Sequence, residues 1–107
     1  MQINKIPLDE KGEAYINTYV IEDSKQFQTG KIRPGVVICP GVGYSYRADR
    51  ESEPVALRYL THGFHAFVVH YSCGEKALYP KPLVDLAKSM AIVRKNSEEW
   101  HIDPDKI

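Results

Sequence analysis

A short apolar run that breaks into a glycine loop most constrains the fold of this chain. Residues 36–39 are apolar at successive positions, which favours a strand covered on both faces. The loop of residues 40–44 contains Gly41 and Gly43, and a helical pattern follows from about residue 49 to 63. Residues 64–71 then form a second run rich in β-formers. This order predicts two parallel strands joined by a crossover helix.

The remaining segments predict a hairpin before this unit and a helix after it. Residues 3–8 and 14–21 are short runs of apolar and polar residues around a turn at residues 9–12, and they predict antiparallel strands. Residues 82–99 predict a helix whose core face carries Leu83, Leu86, Ala87, Met90 and Val93, with Asp85 on the opposite face. We expect one α/β domain over residues 1–107, with the hairpin and a loop in residues 1–33 and a β-α-β-α core in residues 34–107.

Composition argues against several classes of partner. The 14 basic and 14 acidic side chains cancel, and no basic block suggests nucleic acid or an anionic membrane surface. No segment has the apolar length of a membrane span or of a signal peptide, so we expect a cytoplasmic location. Cys39 and Cys73 lack metal or redox spacing and are expected to be buried or half-buried thiols.

The glycine loop allows several interpretations. A dinucleotide fingerprint needs a third glycine and an acidic residue after the next strand, but that strand ends in His70-Tyr71. A nucleotide P-loop needs Gly-Lys-Ser/Thr, and no lysine occurs between Lys31 and Lys76. An oxyanion loop, whose main-chain N–H groups stabilise a negative acyl oxygen, fits the position after a strand. A tight turn that only needs the freedom of glycine fits it equally well.

About two thirds of the chain resembles the esterase/lipase branch of the α/β-hydrolases, near the acetyl-xylan and small-ester esterases. The matching stretches, in the order and spacing of that family, are residues 33–44, Arg50-Glu51, residues 53–57, Gly63, residues 66–68, Tyr71, Tyr79-Pro80, Pro82-Leu83, Asp85-Leu86, Val93-Arg94, Trp100 and residues 102–107. The resemblance implies the N-terminal half of an α/β-hydrolase fold, an incomplete three-layer α/β/α sandwich. It also implies a small-molecule ester substrate and no cofactor.

The same resemblance implies roles for individual loop residues. The main-chain N–H groups of Val42 and Gly43 correspond to the oxyanion donors, although the family usually has glycine where Val42 stands. Tyr44 and Ser45 correspond to the lining of the substrate pocket, and Gly41 is the structural glycine of the loop. The candidate site therefore consists of Gly41, Val42, Gly43, Tyr44 and Ser45.

The catalytic triad is absent from this sequence. The family's nucleophile lies on a G-x-S-x-G elbow beyond the segment that matches residues 102–107, and its acid and histidine follow later. Ser45 lacks the second glycine and lies on the oxyanion loop itself, so it is a poor nucleophile candidate. The four histidines are expected to be surface or packing residues, and the acidic residues Glu51, Glu53 and Asp85 to be helix-start carboxylates or loop ties. His65 and His70 fall on opposite faces of a strand, and no metal site is predicted.

The sequence therefore leads to one main hypothesis and two alternatives. The main hypothesis is the N-terminal portion of a carboxylic-ester hydrolase, which deacetylates sugar esters or related small esters when complete and is inactive alone. The first alternative is a truncated, non-catalytic module. In the family, the strand matching residues 36–39 has a further neighbour, so a chain ending at Ile107 would leave its edge bare and would self-associate or bind a partner there. The weaker alternative is a dinucleotide-binding half-domain.

Overall fold

The computed structural model describes residues 1–23, 26, 30–41, 51–71 and 80–107. The strands are β1 (Gln2–Pro7), β2 (Tyr15–Val20), β3 (Gly35–Ile38) and β4 (His65–His70), and the helices are α1 (Glu53–Thr61) and α2 (Lys81–Lys95). The sheet has the order β1-β2-β4-β3, in which β3 pairs with β4 in parallel and the other pairs are antiparallel. The predicted hairpin and parallel pair are confirmed, and β3 is the last strand of this sheet.

Alternation along β4 divides the core into two clusters on opposite faces of the sheet. Phe67 and Val69 belong to the larger cluster, which also contains Val93 of α2. Ala66 and Val68 belong to the smaller cluster, which contains Ala56 of α1. All the residues of β4 from His65 to Val69 are buried because strands flank it on both sides and helices cover both faces.

Helix α1 is shorter than predicted but ends at the expected glycine. Its N-cap is Ser52, whose side chain makes no capping hydrogen bond, and the other predicted cap, Asp49, lies outside the described residues. At the other end Gly63 has φ +85°, and its N–H donates to the Leu60 carbonyl at 3.0 Å. Since a left-handed residue closes the helix, β4 can begin two residues later.

We expect Gly63→Ala to lower the free energy of unfolding by about 2 kcal/mol. A Cβ at Gly63 would combine an unfavourable positive φ with a 3.1 Å approach to Nη1 of Arg33, which also donates to the Gly63 carbonyl at 3.2 Å. Gly12→Ala is the matched control, because Gly12 has φ +70° and no atom lies within 4 Å of its added Cβ. Urea unfolding should show the larger loss for Gly63→Ala, and equal losses would exclude a contribution from Arg33.

Helix α2 buries only part of the face that the sequence predicts, because Val93 is in the core and Leu86 packs against it but Leu83 does not. Asp85 is fully buried, together with Ser89 and Val93, whereas Leu83 is 51% exposed. Lys81 Nζ donates to Asp85 Oδ1 at 2.8 Å, and Ser89 Oγ donates to the Asp85 carbonyl at 2.9 Å. Because these polar groups are satisfied within the helix, the predicted solvent face can be buried against the sheet. The hydrogen bond to Asp85 also raises the pKa of Lys81.

Candidate functional site

The carboxyl ends of β3 and β4 lie side by side and open onto a small cavity. Its volume is about 200 Å³, and its walls come from both strand ends and from the first turns of α2. The lining residues are Cys39, Gly41, Val69, Tyr71, Pro82, Leu83 and Leu86. In α/β folds ligands bind at the carboxyl ends of parallel strands, so this cavity is the candidate site.

The structure locates one of the predicted site residues. Gly41 is half-buried and lines the cavity directly after Pro40, which is fully buried. The predicted oxyanion donors Val42 and Gly43 and the predicted pocket residues Tyr44 and Ser45 lie outside the described residues. The described part of the loop therefore leaves β3 beside the cavity, and the roles of these four residues stay predictions.

Most of the cavity wall was not among the predicted site residues. Leu83 and Leu86 were predicted to be core residues because they recur at helical spacing; Leu86 packs against the core and also lines the cavity, whereas Leu83 is exposed at its wall. Cys39 was expected to be buried or half-buried, but it is exposed at the end of β3, which is the outermost of the described strands. The signal that could have identified the wall is the position of Pro82 and Leu83 at the start of a helix that follows a parallel strand.

His70 is the histidine nearest the strand ends, but its ring is held on β4 by neighbours on β2. It stacks on Tyr15 with ring centroids 4.5 Å apart and an interplanar angle of 19°. Asn17 Nδ2 lies 3.0 Å from His70 Nε2 and donates to it. By alternation its side chain leaves the face opposite Val69, so His70 is not on the cavity side of the sheet.

His65 lies at the other end of β4 and is a buried structural residue. The Ile21 N–H donates to His65 Nδ1 at 3.0 Å, so Nε2 carries the proton and faces the His101 carbonyl at 3.3 Å. Burial lowers the pKa of His65, and the hydrogen bond to the His101 carbonyl offsets only part of this decrease. About five residues of strand, roughly 16 Å, separate it from the cavity end, so it cannot act there as a general base.

Tyr19 and Glu53 form a hydrogen bond that joins β2 to α1. Tyr19 donates from its hydroxyl to Glu53 Oε2 at 3.1 Å, and burial together with this carboxylate raises the pKa of Tyr19 to about 12. Within residues 1–23, 26, 30–41, 51–71 and 80–107, no three His, Cys, Asp or Glu side chains could share a metal ion. Neither helix in that part of the chain has the length and apolarity to cross a bilayer.

The solved structures that match this chain share one fold. No family model matches the chain. MGS-M1, an α/β hydrolase enzyme from a Medee basin deep-sea metagenome library, matches 100% of this chain and 44% of its own, with TM-score 0.92 and 39% identity. An acetyl ester-xyloside bifunctional hydrolase from Caldicellulosiruptor lactoaceticus matches 97% of this chain and 40% of its own, with TM-score 0.82 and 29% identity.

One curated protein is also similar to part of this chain. Endo-1,4-beta-xylanase B of Butyrivibrio fibrisolvens is 30% identical over 78 residues, which are 70% of this chain and 12% of that protein. The chain thus spans less than half the length of the two solved structures and a small share of the xylanase. The sheet order, the parallel pair and these matches agree with the sequence resemblance. This chain has part of the α/β-hydrolase fold, which it shares with MGS-M1 over its whole length.

Proposed function

We propose that the chain is a portion of a carboxylic-ester hydrolase, to which it contributes the loop that stabilises the oxyanion. The observation that carries the proposal is the cavity at the carboxyl ends of β3 and β4, with Gly41 at its wall. Residues 42 and 43 follow directly, so their N–H groups would be available to a substrate held there. Each well-placed donor lowers the barrier to acyl transfer by about 3 kcal/mol.

The size and chemistry of the cavity favour a short acyl group. The walls are apolar apart from main-chain groups and the polar tips of Cys39 and Tyr71, and the volume of about 200 Å³ is below that of a typical drug-sized site. The solved structure named as an acetyl ester-xyloside bifunctional hydrolase and the relative named as a xylanase support acetylated sugars as the substrate class. We therefore favour deacetylation of small sugar esters by the complete enzyme.

The chain alone should lack turnover, because it carries no G-x-S-x-G sequence. We expect hydrolysis of p-nitrophenyl acetate by the purified chain to equal that of a buffer blank. The matched variant is Ser45→Ala, since Ser45 is the serine next to the proposed donors. Turnover by the chain that disappears in Ser45→Ala would contradict the absence of a nucleophile.

A chimera tests the positive part of the proposal. MGS-M1 matches the whole chain, so its matching segment can be replaced by residues 1–107. The folded chimera should hydrolyse p-nitrophenyl acetate, and Gly43→Pro, which removes one proposed donor, should reduce kcat by about 10²-fold or more. Ser45→Ala in the chimera is the control and should change kcat by only a few-fold. A folded chimera without esterase activity would contradict the proposal.

The last position of β3 in the sheet favours a second candidate, a non-catalytic module that self-associates. Val36, Val37 and Ile38 are only half-buried, although they belong to a parallel strand. An apolar strand at the end of a sheet can pair with another copy. Sedimentation over a range of concentrations tests this candidate, and a single monomeric species that unfolds cooperatively would count against it.

A further inference from the structure

A second open space lies at the edge of the sheet opposite the cavity, where β3 and β4 begin. It is a groove of about 540 Å³, and we call it the amino-end groove. The six residues of β4, roughly 20 Å of strand, separate it from the candidate site. Its described lining residues are Met1, Ile21, Arg33, Leu57, Leu60, Thr61 and Gly63. The amino-end groove therefore shares no described lining residue with the cavity.

The walls of the amino-end groove are mostly aliphatic. Leu57 and Leu60 belong to the second half of α1. Ile21 follows β2 and Met1 precedes β1, so both lie at the same edge of the sheet. Because Leu57 is 46% exposed and Met1 is 56% exposed, this apolar surface is open to water.

Arg33 is the one charged side chain among the described residues that line the amino-end groove, and it is only 7% exposed. Its Nη1 donates to the Gly63 carbonyl at 3.2 Å, which uses one of the five N–H groups of the guanidinium. Within the described ranges no carboxylate forms an ion pair with it. Every fully buried side-chain nitrogen in that part of the chain has a hydrogen-bond partner. The N–H groups of Arg33 without a partner therefore reach open space, and the amino-end groove is an open space that Arg33 lines.

A structural role explains only part of this arrangement. A cation near the carboxyl end of α1 complements the helix dipole. The carbonyls of Tyr59 and Leu60, however, already accept main-chain N–H groups from residues 62–64. Arg33 reaches the carbonyl of Gly63, which lies beyond the helix. One N–H is sufficient for this tie, and the others are available to an anion.

The charge and shape of the amino-end groove define the ligand that fits it. A buried guanidinium without an anionic partner is costly, and a carboxylate can accept two parallel hydrogen bonds from it. Because Arg33 is the only cation among the described lining residues, it matches a single negative charge better than a doubly charged phosphate. The aliphatic walls require that the rest of the ligand be apolar. The volume of the groove lies within the range of about 300 to 1,000 Å³ that is typical of small-molecule sites.

We propose that the amino-end groove binds an aliphatic carboxylate, with its headgroup paired to Arg33 and its chain against Met1, Leu57 and Leu60. A medium-chain fatty acid is the simplest ligand of this class. The inference does not rest on the proposed hydrolase function, because the groove and the cavity lie at opposite edges of the sheet.

Titration with octanoate, followed by the NMR shifts of backbone amides, tests the class of ligand. The amides of Leu57 and Gly63 should shift on binding, whereas those of Tyr71 and Leu86 at the cavity should not. Octan-1-ol has the same chain without the charge and should bind about tenfold more weakly or worse, because it makes no charge-assisted hydrogen bond to Arg33. Octylamine carries the opposite charge and should not bind. Equal binding of all three compounds, shifts at the cavity alone, or no shift with octanoate would overturn the proposal.

Two exposed leucines provide matched variants that should not disturb the fold. Leu57 is 46% exposed in the amino-end groove, and Leu83 is 51% exposed at the cavity. Leu57→Glu places a carboxylate in the groove and should weaken octanoate binding by about tenfold or more, because it repels the ligand and competes for Arg33. Leu83→Glu should change the affinity for octanoate by less than about twofold. A loss in Leu83→Glu but not in Leu57→Glu would place octanoate in the cavity and overturn the proposal.

Changes at Arg33 separate recognition of the headgroup from support of the helix end. Arg33→Met keeps an aliphatic stem and removes the charge, so it should weaken octanoate binding by about tenfold or more and leave octan-1-ol binding unchanged. Arg33→Lys keeps the charge without the planar fork, and its affinity for octanoate should lie between the two. Arg58→Met is the control on the exposed side of α1 and should bind octanoate like the unchanged chain. A folded Arg33→Met chain with unchanged affinity for octanoate would make Arg33 a structural residue only and overturn the proposal. If Arg33→Met does not fold, the pair Leu57→Glu and Leu83→Glu decides the question alone.

Discussion

Replacing Phe67 with alanine is expected to lower the free energy of unfolding by about 4 kcal/mol. Phe67 is fully buried in β4, and its ring stacks on Trp100 with centroids 5.6 Å apart and an interplanar angle of 23°. Its ring also reaches to 3.4 Å of the position that a Cβ on Gly35 would occupy. Since β2 and β3 hold β4 from both sides, the backbone cannot close the cavity that alanine would leave.

Urea unfolding followed by Trp100 fluorescence measures this loss, with Phe64→Ala as the matched control. Phe64 is half-buried, contacts Tyr59 edge-on with ring centroids 5.4 Å apart and lines an open groove on the outer side of β3, so its loss should cost about 1 to 2 kcal/mol. The total free energy of unfolding of a folded domain is about 5 to 15 kcal/mol, so a loss of this size can leave Phe67→Ala unfolded even without urea. In that case Phe67→Leu, which removes less of the side chain, gives a smaller loss of stability that can be measured. Equal losses of the free energy of unfolding in Phe64→Ala and Phe67→Ala would contradict the conclusion that Phe67 is a principal residue of the core.

The parallel pair could be predicted from the sequence because its signals are local. Continuous apolarity marks β3 and β4, and the glycine at position 63 marks the end of the helix between them. The same pattern predicts where Gly41 lies, because a loop that follows a parallel strand must lie at the carboxyl edge of the sheet, where the cavity is. These features need no knowledge of tertiary contacts.

The orientation of α2 could not be predicted in this way. Its apolar stripe and its buried stripe share Val93 but otherwise differ, because Lys81 satisfies the carboxylate of Asp85 and allows that side to pack on the sheet. Leu83 and Leu86 line the cavity, and Leu86 and Met90 line an open groove on the outer side of β3. A helical period indicates which residues share a face, but it does not indicate which structure covers that face. The cavity wall therefore emerges only from the packed structure.

The role of His65 was also hidden in the sequence, because its ring joins segments that are far apart in the chain. Its partners are the main chain of residue 21, at the end of β2, and of residue 101, after α2. A histidine in an apolar strand gives no local sign of such partners. The prediction of a packing histidine describes its burial but not its two hydrogen bonds.

His65 should make the stability of the protein fall as the pH drops below about 6.5. Burial lowers the pKa of His65 in the folded state, whereas in the unfolded chain it returns to about 6.5. The unfolded state therefore binds the extra proton first, and the stability present above pH 6.5 is lost as the pH falls, by at most about 1.4 kcal/mol per pH unit. Among the charged groups that face the ring, Arg33 and His101 oppose protonation and Asp23 favours it.

His65→Leu should lower the free energy of unfolding at pH 7.5 by about 3 kcal/mol and remove this pH dependence, because the partly buried Ile21 N–H loses its acceptor and no imidazole remains to be protonated. His62→Leu is the control, since His62 is exposed at the end of α1 and should change stability by less than about 0.5 kcal/mol. Urea midpoints at pH 5, 6, 7 and 8 compare the three proteins. If the pH dependence of the free energy of unfolding persists in His65→Leu and disappears in His62→Leu, the group that binds the proton is His62 at the end of α1. The hydrogen bond from Ile21 to Nδ1 requires the opposite result, because protonation at that atom places two N–H donors face to face.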